Sequence, residues 1–237
     1  MSTHWIHWMK YMEIRDLIEA ELKNYSSNQM IPSERYLALK FDCSRETVRK
    51  AYEQLRAEDK IFKRQNLGWF VSNKKIQYYP NSIENFRSYM KAQGFNARTE
   101  LISTRQLERF DHSDLFSEES RKLGFIEIIR LRYADDVPVL LEYNYLPVAL
   151  FPNVLNYNVI TSVQDVIKNH FHYDYTSSQL KIKNTGVSHF ESQHLGIPLS
   201  QTATYIERIS KSDDLVIEYD IEIWSQDKIE MTLDIHA

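Results

Sequence analysis

Residues 31–52 contain two helix starts eleven residues apart, each opened by a serine, and few folds accommodate that pattern. Ser33 offers a capping hydroxyl ahead of Glu34 and Arg35, and Ser44 does the same ahead of Arg45, Glu46 and Thr47. Behind Ser33 the apolar positions are Leu37, Ala38 and Phe41. Behind Ser44 they are Val48, Ala51, Tyr52 and Leu55, spaced for one helix face. The opposite face presents Arg45 and Arg49, one turn apart. Two short helices with a tight connection, the second basic at its exposed N-terminus, read as a helix-turn-helix.

The flanking sequence completes that unit. A first helix is expected over about residues 8–24, with Tyr11, Ile14, Leu17, Ile18 and Leu22 on its apolar face. After the second and third helices, residues 60–64 and 68–72 read as two short strands around Gln65, Asn66 and Leu67. Asn66 and Gly68 both tolerate the positive φ that a hairpin turn requires. Residues 1–72 thus form a winged helix-turn-helix, mainly α with a β-hairpin wing whose tip, near Lys63 and Arg64, is placed to reach a phosphate or the minor groove. Charge agrees: residues 1–75 carry 14 lysines and arginines against 10 acids, whereas the remainder carries 15 against 23. A basic module precedes an acidic one, within a chain of net charge −4.

Residues 73–82 are polar, contain Pro80 and lack periodicity, so they are read as a linker. Residues 83–237 then mix helices with hairpin-connected strands. Helices are expected over 83–93, 117–123, 162–171 and 188–195, with Ser117 as a cap and Gly94 and Gly196 as stops. Strands are expected over 99–106, 125–133, 139–146 and 179–183, followed by a meander of 202–211, 215–225 and 228–236. The fold class is therefore multidomain, the second part an α+β domain on an antiparallel sheet.

Several functions find no support. No run of about 18 apolar residues exists, so no transmembrane helix is expected. The N-terminus lacks a basic region followed by an apolar one, so no secretory signal is expected. The single cysteine, Cys43, permits no intrachain disulfide and suits a reducing cytoplasm, where it reads as a small packing residue. His170 and His172 resemble a metal pair but lack an acidic or cysteine partner at useful spacing. Ser162 and His189 come with no nucleophile elbow. No catalytic residue, metal site or cofactor is expected.

Residues 11–72 resemble the DNA-binding domain of the GntR family of bacterial transcription regulators. The resemblance rests on Pro32-Ser33-Glu34-Arg35, on the run from Ser44 to Ala51, and on the wing ending Gly68-Trp69-Phe70-Val71. Asn66 stands at the family's first wing glycine and Trp69 at its threonine. The second part resembles the UTRA effector-binding domain of the HutC subfamily, which has a chorismate-lyase-like fold. Its matching residues include Phe86, Met90, Gly94, the run Ile129-Arg130-Leu131-Arg132, Pro138, the run from Glu142 to Pro147, Ser162 and Glu218. Near the C-terminus the run from Trp224 to Lys228 departs from the subfamily's Tyr-Arg-Gly-Asp-Arg, keeping Asp227 and a cation.

For DNA, Arg35, Arg45 and Arg49 are the guanidinium donors, since Arg forks onto guanine or phosphate as Lys does not. Ser33, Ser44 and Thr47 lie at helix N-termini suited to phosphate, and Asn66 and Gly68 are candidates in the wing. In the second domain Arg130 and Arg132 lie two apart on a strand and so share a face. They read either as structural pairs with Glu142 across the hairpin or as a cradle for an anion. The resemblance implies the cradle, a site for sugar phosphates or organic acids, and proposes Arg130, Arg132, Glu142, Ser162 and Glu218 as effector-binding residues. Tyr145, Tyr205 and Trp224 read as cavity walls or as sheet packing.

The resulting expectation is a cytoplasmic, DNA-binding transcription repressor, a homodimer on a near-palindromic operator, controlled by a small anionic metabolite. Two alternatives differ in class. An enzyme acting on a small organic acid would show turnover by residues 76–237, and a structural DNA-binding protein would lack sequence preference and a pocket.

Overall fold

In the computed structural model, residues 3–26, 29–64, 67–72, 75–80 and 85–233 are described, residues 3–10 as backbone only. The chain divides into two units, Met1–Lys74 and Lys75–Ala237.

Both serine caps form. Ser33 Oγ accepts from the Tyr36 amide at 3.3 Å and opens α2 (Glu34–Lys40), and Ser44 Oγ accepts from the Thr47 amide at 3.1 Å and opens α3 (Arg45–Ala57). They follow α1 (Thr3–Leu22), which begins earlier than its periodicity predicts, and precede the antiparallel hairpin β1 (Ile61–Arg64) and β2 (Gly68–Val71). The core joins Ile14 and Ile18 of α1, Leu37 and Ala38 of α2, and Val48, Ala51, Tyr52 and Leu55 of α3, with Ile61 and Trp69 from the hairpin. Leu17, expected on the apolar face of α1, is 50% exposed instead. The Tyr52 hydroxyl donates to the Pro32 carbonyl at 2.6 Å, tying α3 to the start of α2. Trp69, at the wing position where the family carries threonine, turns inward: it is buried against Tyr52 and donates from its indole to Glu34 at 3.2 Å. Asn66 lies outside the described residues.

The second unit is built on a six-stranded antiparallel sheet. Its strands are β4 (Ala97–Leu107), β5 (Phe125–Ala134), β6 (Val137–Pro147), β7 (Ser177–Gly186), β8 (Thr202–Ser212) and β9 (Leu215–Ser225), in spatial order β4-β5-β6-β9-β8-β7. The β5–β6 turn is Asp135-Asp136, both at positive φ, as a two-residue primed turn requires. Gly124, between α5 (Glu118–Leu123) and β5, has φ +81, and an added Cβ would lie 2.4 Å from the Leu107 carbonyl oxygen, so no other residue fits. The remaining helices are α4 (Phe86–Ala92), α6 (Val163–Phe171) and α7 (His189–Leu195), the last carrying a full capping box from Ser188 and Glu191.

Two expectations need correction. Ile76–Tyr78, read as linker, is β3, and it pairs in parallel with β10 (Ile229–Met231). The last expected strand is therefore short and leaves the meander, because its apolar Ile229 packs with Ile76 beside Trp224 rather than extending the large sheet. Residues 81–84 and 234–237 of the expected elements lie outside the described residues.

Candidate functional site

On the first unit, Ser33, Arg35, Arg45 and Gly68 line one shallow groove between α2, α3 and the hairpin, together with Lys63. Arg35 and Arg45 are exposed and form no ion pair with any described residue. Arg49, also exposed, is held by Glu46 at 2.6 Å. Ser44 and Thr47 share a hydroxyl–hydroxyl hydrogen bond of 2.8 Å, and Thr47 is only 3% exposed. Thr47 thus stabilises the start of α3 and has no free surface to offer DNA, a correction to its expected role. Lys63 enters the groove through the register of β1, which its place on an expected hairpin tip already suggested.

On the second unit, alternation along four strands brings polar side chains to one face of the sheet. That face supplies Arg130 and Arg132 from β5, Glu142 and Asn144 from β6, Arg208 and Ser210 from β8, and Glu218, Asp220 and Glu222 from β9. With Phe86 and Tyr89 of α4, Ser162 at the start of α6, and Tyr175, they enclose a cavity of about 120 Å³. All five expected effector residues therefore line a single space. Tyr145 and Tyr205 fall on the opposite face, against Phe110 and Glu191 respectively, while Trp224 lines the cavity.

The pairing of both arginines with Glu142 across the hairpin is present. Glu142 Oε2 lies 2.6 Å from Arg130 Nη2 and 2.8 Å from Arg132 Nη2. Arg130 also donates to the Val159 carbonyl at 2.8 Å and to Asn144 Oδ1 at 3.0 Å, so it pins the loop ahead of α6 to the sheet. Yet Arg130 Nε and Arg132 Nη1 are buried donors without a partner. Ser162 caps α6 by accepting from the Asp165 amide at 3.0 Å, so its contribution is to aim the helix N-terminus at the cavity.

Burial and charge shape the protonation of this face. Burial lowers Arg130 to about 10, which leaves it charged at neutral pH. Glu142 is penalised by burial too, but the charges of Arg130 and Arg132 outweigh it and hold the carboxyl below its usual range. Glu218 and Asp220 go the other way: burial raises both, and neighbouring carboxylates add to it. A carboxyl raised in the folded state binds more protons there than when unfolded, once pH passes the ordinary value of about 4. Its contribution to stability accordingly falls as pH rises toward the folded value. Urea unfolding between about pH 5 and pH 8 should therefore show wild type losing about 1 kcal/mol or more relative to Asp220→Asn. Parallel pH profiles for the two proteins would contradict the raised carboxyl.

Sequence reasoning missed Asp220, Glu222, Asn144, Arg208 and Tyr175. For the β9 acids a signal existed: Glu218, Asp220 and Glu222 alternate with Tyr219, Ile221 and Ile223 in a strand of period two. Tyr175 gave none, since it lies in a loop.

Residues 10–71 match the family described as "Bacterial regulatory proteins, gntR family", and residues 92–230 match the one described as "UTRA domain". The chain is a GntR-family transcription regulator with a UTRA domain. The transcriptional repressor NagR of Bacillus subtilis is 24% identical over 200 residues, covering 84% of this chain and 82% of that one. The regulator GmuR of the same organism is 25% identical over 233 residues, covering 94% and 97%. In fold, the regulator resembles the crystal structure of PhnF from Mycobacterium smegmatis, with a TM-score of 0.70 at 22% identity over 94% of this chain and 99% of that one. Members of the family regulate transcription and are not enzymes, so the alternative of an enzyme acting on a small organic acid falls away. Among the described residues no helix is long and apolar enough to cross a membrane. The histidine pair has structural roles, His170 stacked on Tyr157 and His172 at positive φ ending α6.

Proposed function

We propose that this regulator is a cytoplasmic homodimeric repressor whose operator binding is controlled by a small anionic metabolite, a sugar phosphate or organic acid. Ser33, Arg35, Ser44, Arg45, Arg49 and Gly68, joined by Lys63, form the DNA-facing set, with Asn66 of the wing. Arg130, Arg132, Glu142, Ser162 and Glu218 form the effector set. The observation that carries the effector reading is the pair of buried, unpartnered guanidinium donors, Arg130 Nε and Arg132 Nη1, in the cavity those five residues line. An anion there gains charge-assisted hydrogen bonds at low dielectric. NagR, a relative named as a repressor, supports the direction of control.

The effector acts by binding one arrangement of the dimer better than another, which shifts the fit of two recognition helices to half-sites about one helical turn apart. The test is a thermal-shift screen of sugar phosphates and organic acids, followed by gel shifts with the regulator's own upstream DNA. Compounds that stabilise the protein are expected to weaken the DNA complex, and Arg132→Gln to reduce both effects. Stabilising compounds that leave the complex untouched, or that act equally on Arg132→Gln, would sink the reading.

A further inference from the structure

The acids of β9 outnumber the cations able to pair with them. Glu218, Asp220 and Glu222 follow one another two apart on β9 and face the side of the sheet that carries Arg130, Arg132 and Glu142. Four carboxylates thus line the cavity with only three guanidiniums, those of Arg130, Arg132 and Arg208. The pairing is uneven. Glu142 takes both Arg130 and Arg132. Glu222 takes Arg208 at 3.1 Å and the Trp224 indole at 2.9 Å. Glu218 is held by neutral donors, Asn144 Nδ2 at 2.8 Å and the Tyr175 hydroxyl at 2.6 Å.

Asp220 is left over. It is 5% exposed, its Oδ2 has no hydrogen-bond partner, and its ion-pair contact is Arg208 Nε at a long 3.8 Å. Its cross-strand neighbours are Asn144 and Arg208, and along β9 it stands between two further acids. A buried carboxyl in this state holds its proton until a cation meets it, and native folds rarely leave one without a reason. The side chains that carry the two unpartnered guanidinium donors, Arg130 and Arg132, line the same cavity. Orphan donors and an orphan acceptor in one cavity ask for an occupant that carries both kinds of partner.

We propose that the effector is zwitterionic: a small metabolite whose phosphate or carboxylate takes Arg130 Nε and Arg132 Nη1 and whose ammonium takes Asp220. This rests on reading the cavity as the effector site. A purely anionic ligand would leave Asp220 without a cation, and a neutral polyol would leave the guanidinium donors without a counter-charge. The cavity volume, well below the roughly 300–1,000 Å³ of sites for drug-sized ligands, limits the occupant to a compact molecule.

The test uses the full-length regulator and matched probes: short n-alkyl phosphates against their ω-amino counterparts, and n-alkyl carboxylates against ω-amino acids of equal length. Thermal shift and calorimetry should give a larger stabilisation for an amino-ended probe than for its methyl-ended twin at one or more chain lengths. Asp220→Asn should abolish that excess while the methyl-ended response remains, and Asp220→Ser repeats the measurement with a smaller neutral side chain. Equal or weaker binding of every amino-ended probe overturns the proposal, as does an excess that survives in both variants. If no probe of either kind stabilises the protein, the effector reading of the cavity itself fails and the zwitterion assignment falls with it.

Discussion

Arg45→Ala is expected to weaken operator binding by about 10²- to 10³-fold while leaving the fold unchanged. Arg45 is the first residue of α3, exposed, and unpaired with any described residue, so no protein contact must be given up before it meets DNA. A bidentate arginine–base contact contributes roughly 1–3 kcal/mol of discrimination, and the proposed homodimer would make it twice. Arg49→Ala is expected to cost less, because Arg49 must first leave Glu46. Fluorescence anisotropy across a salt series separates the roles. A base-reading arginine loses sequence preference on removal, whereas a phosphate-gripping one lowers the salt slope by about one charge per contact. Thermal unfolding should move by no more than about 0.5 kcal/mol, as for other surface substitutions. Unchanged affinity of both variants for the operator would remove α3 from the interface.

What could be read from the chain followed the range of the interaction. Ser33, Ser44 and Ser117 all cap helices as expected, since a cap needs only a hydroxyl and an amide three residues on. The shared face of Arg130 and Arg132 was equally legible, because strand alternation is a property of the backbone. The β3–β10 pairing was not: it joins three residues at 76–78 to three at 229–231, too short to impose a pattern on either segment. Trp69 shows a third limit. Its bulk suggested nothing about direction, and only the packing against Tyr52 and the bond to Glu34 turn it inward. The cavity itself depended on β6 and β9 becoming neighbours, which sets Glu142 opposite Glu222 and Asn144 opposite Asp220. Strand order is a long-range fact, and the pocket's charge balance follows from it.

Arg130→Ala is expected to destabilise the second unit by about 3–5 kcal/mol, the loss typical of breaking a buried ion pair from one side. The residue is 1% exposed and its side chain reaches Glu142, Asn144 Oδ1 and the Val159 carbonyl, with a longer contact to the Ile160 carbonyl. Its removal leaves two buried acceptors without donors and Glu142 with Arg132 alone. For a unit of this size, each kcal/mol lowers the melting temperature by about 2–4 °C, so a fall of roughly 6–20 °C should appear in calorimetry. Glu142→Gln attacks the same centre from the opposite direction, depriving two neighbouring guanidiniums of the carboxylate they share, and is expected to fall in the same range. In Arg130→Ala/Glu142→Gln the two losses should add to less than their sum, because each variant removes the other's partner. An additive double variant, or a loss below about 1 kcal/mol in Arg130→Ala, would show that Arg130 is not holding the loop and the sheet together. An additional gain in melting temperature on adding an anion to Glu142→Gln would place the ligand's charge where the carboxylate had been. That outcome would tie the stabilising pair and the effector site to the same two arginines.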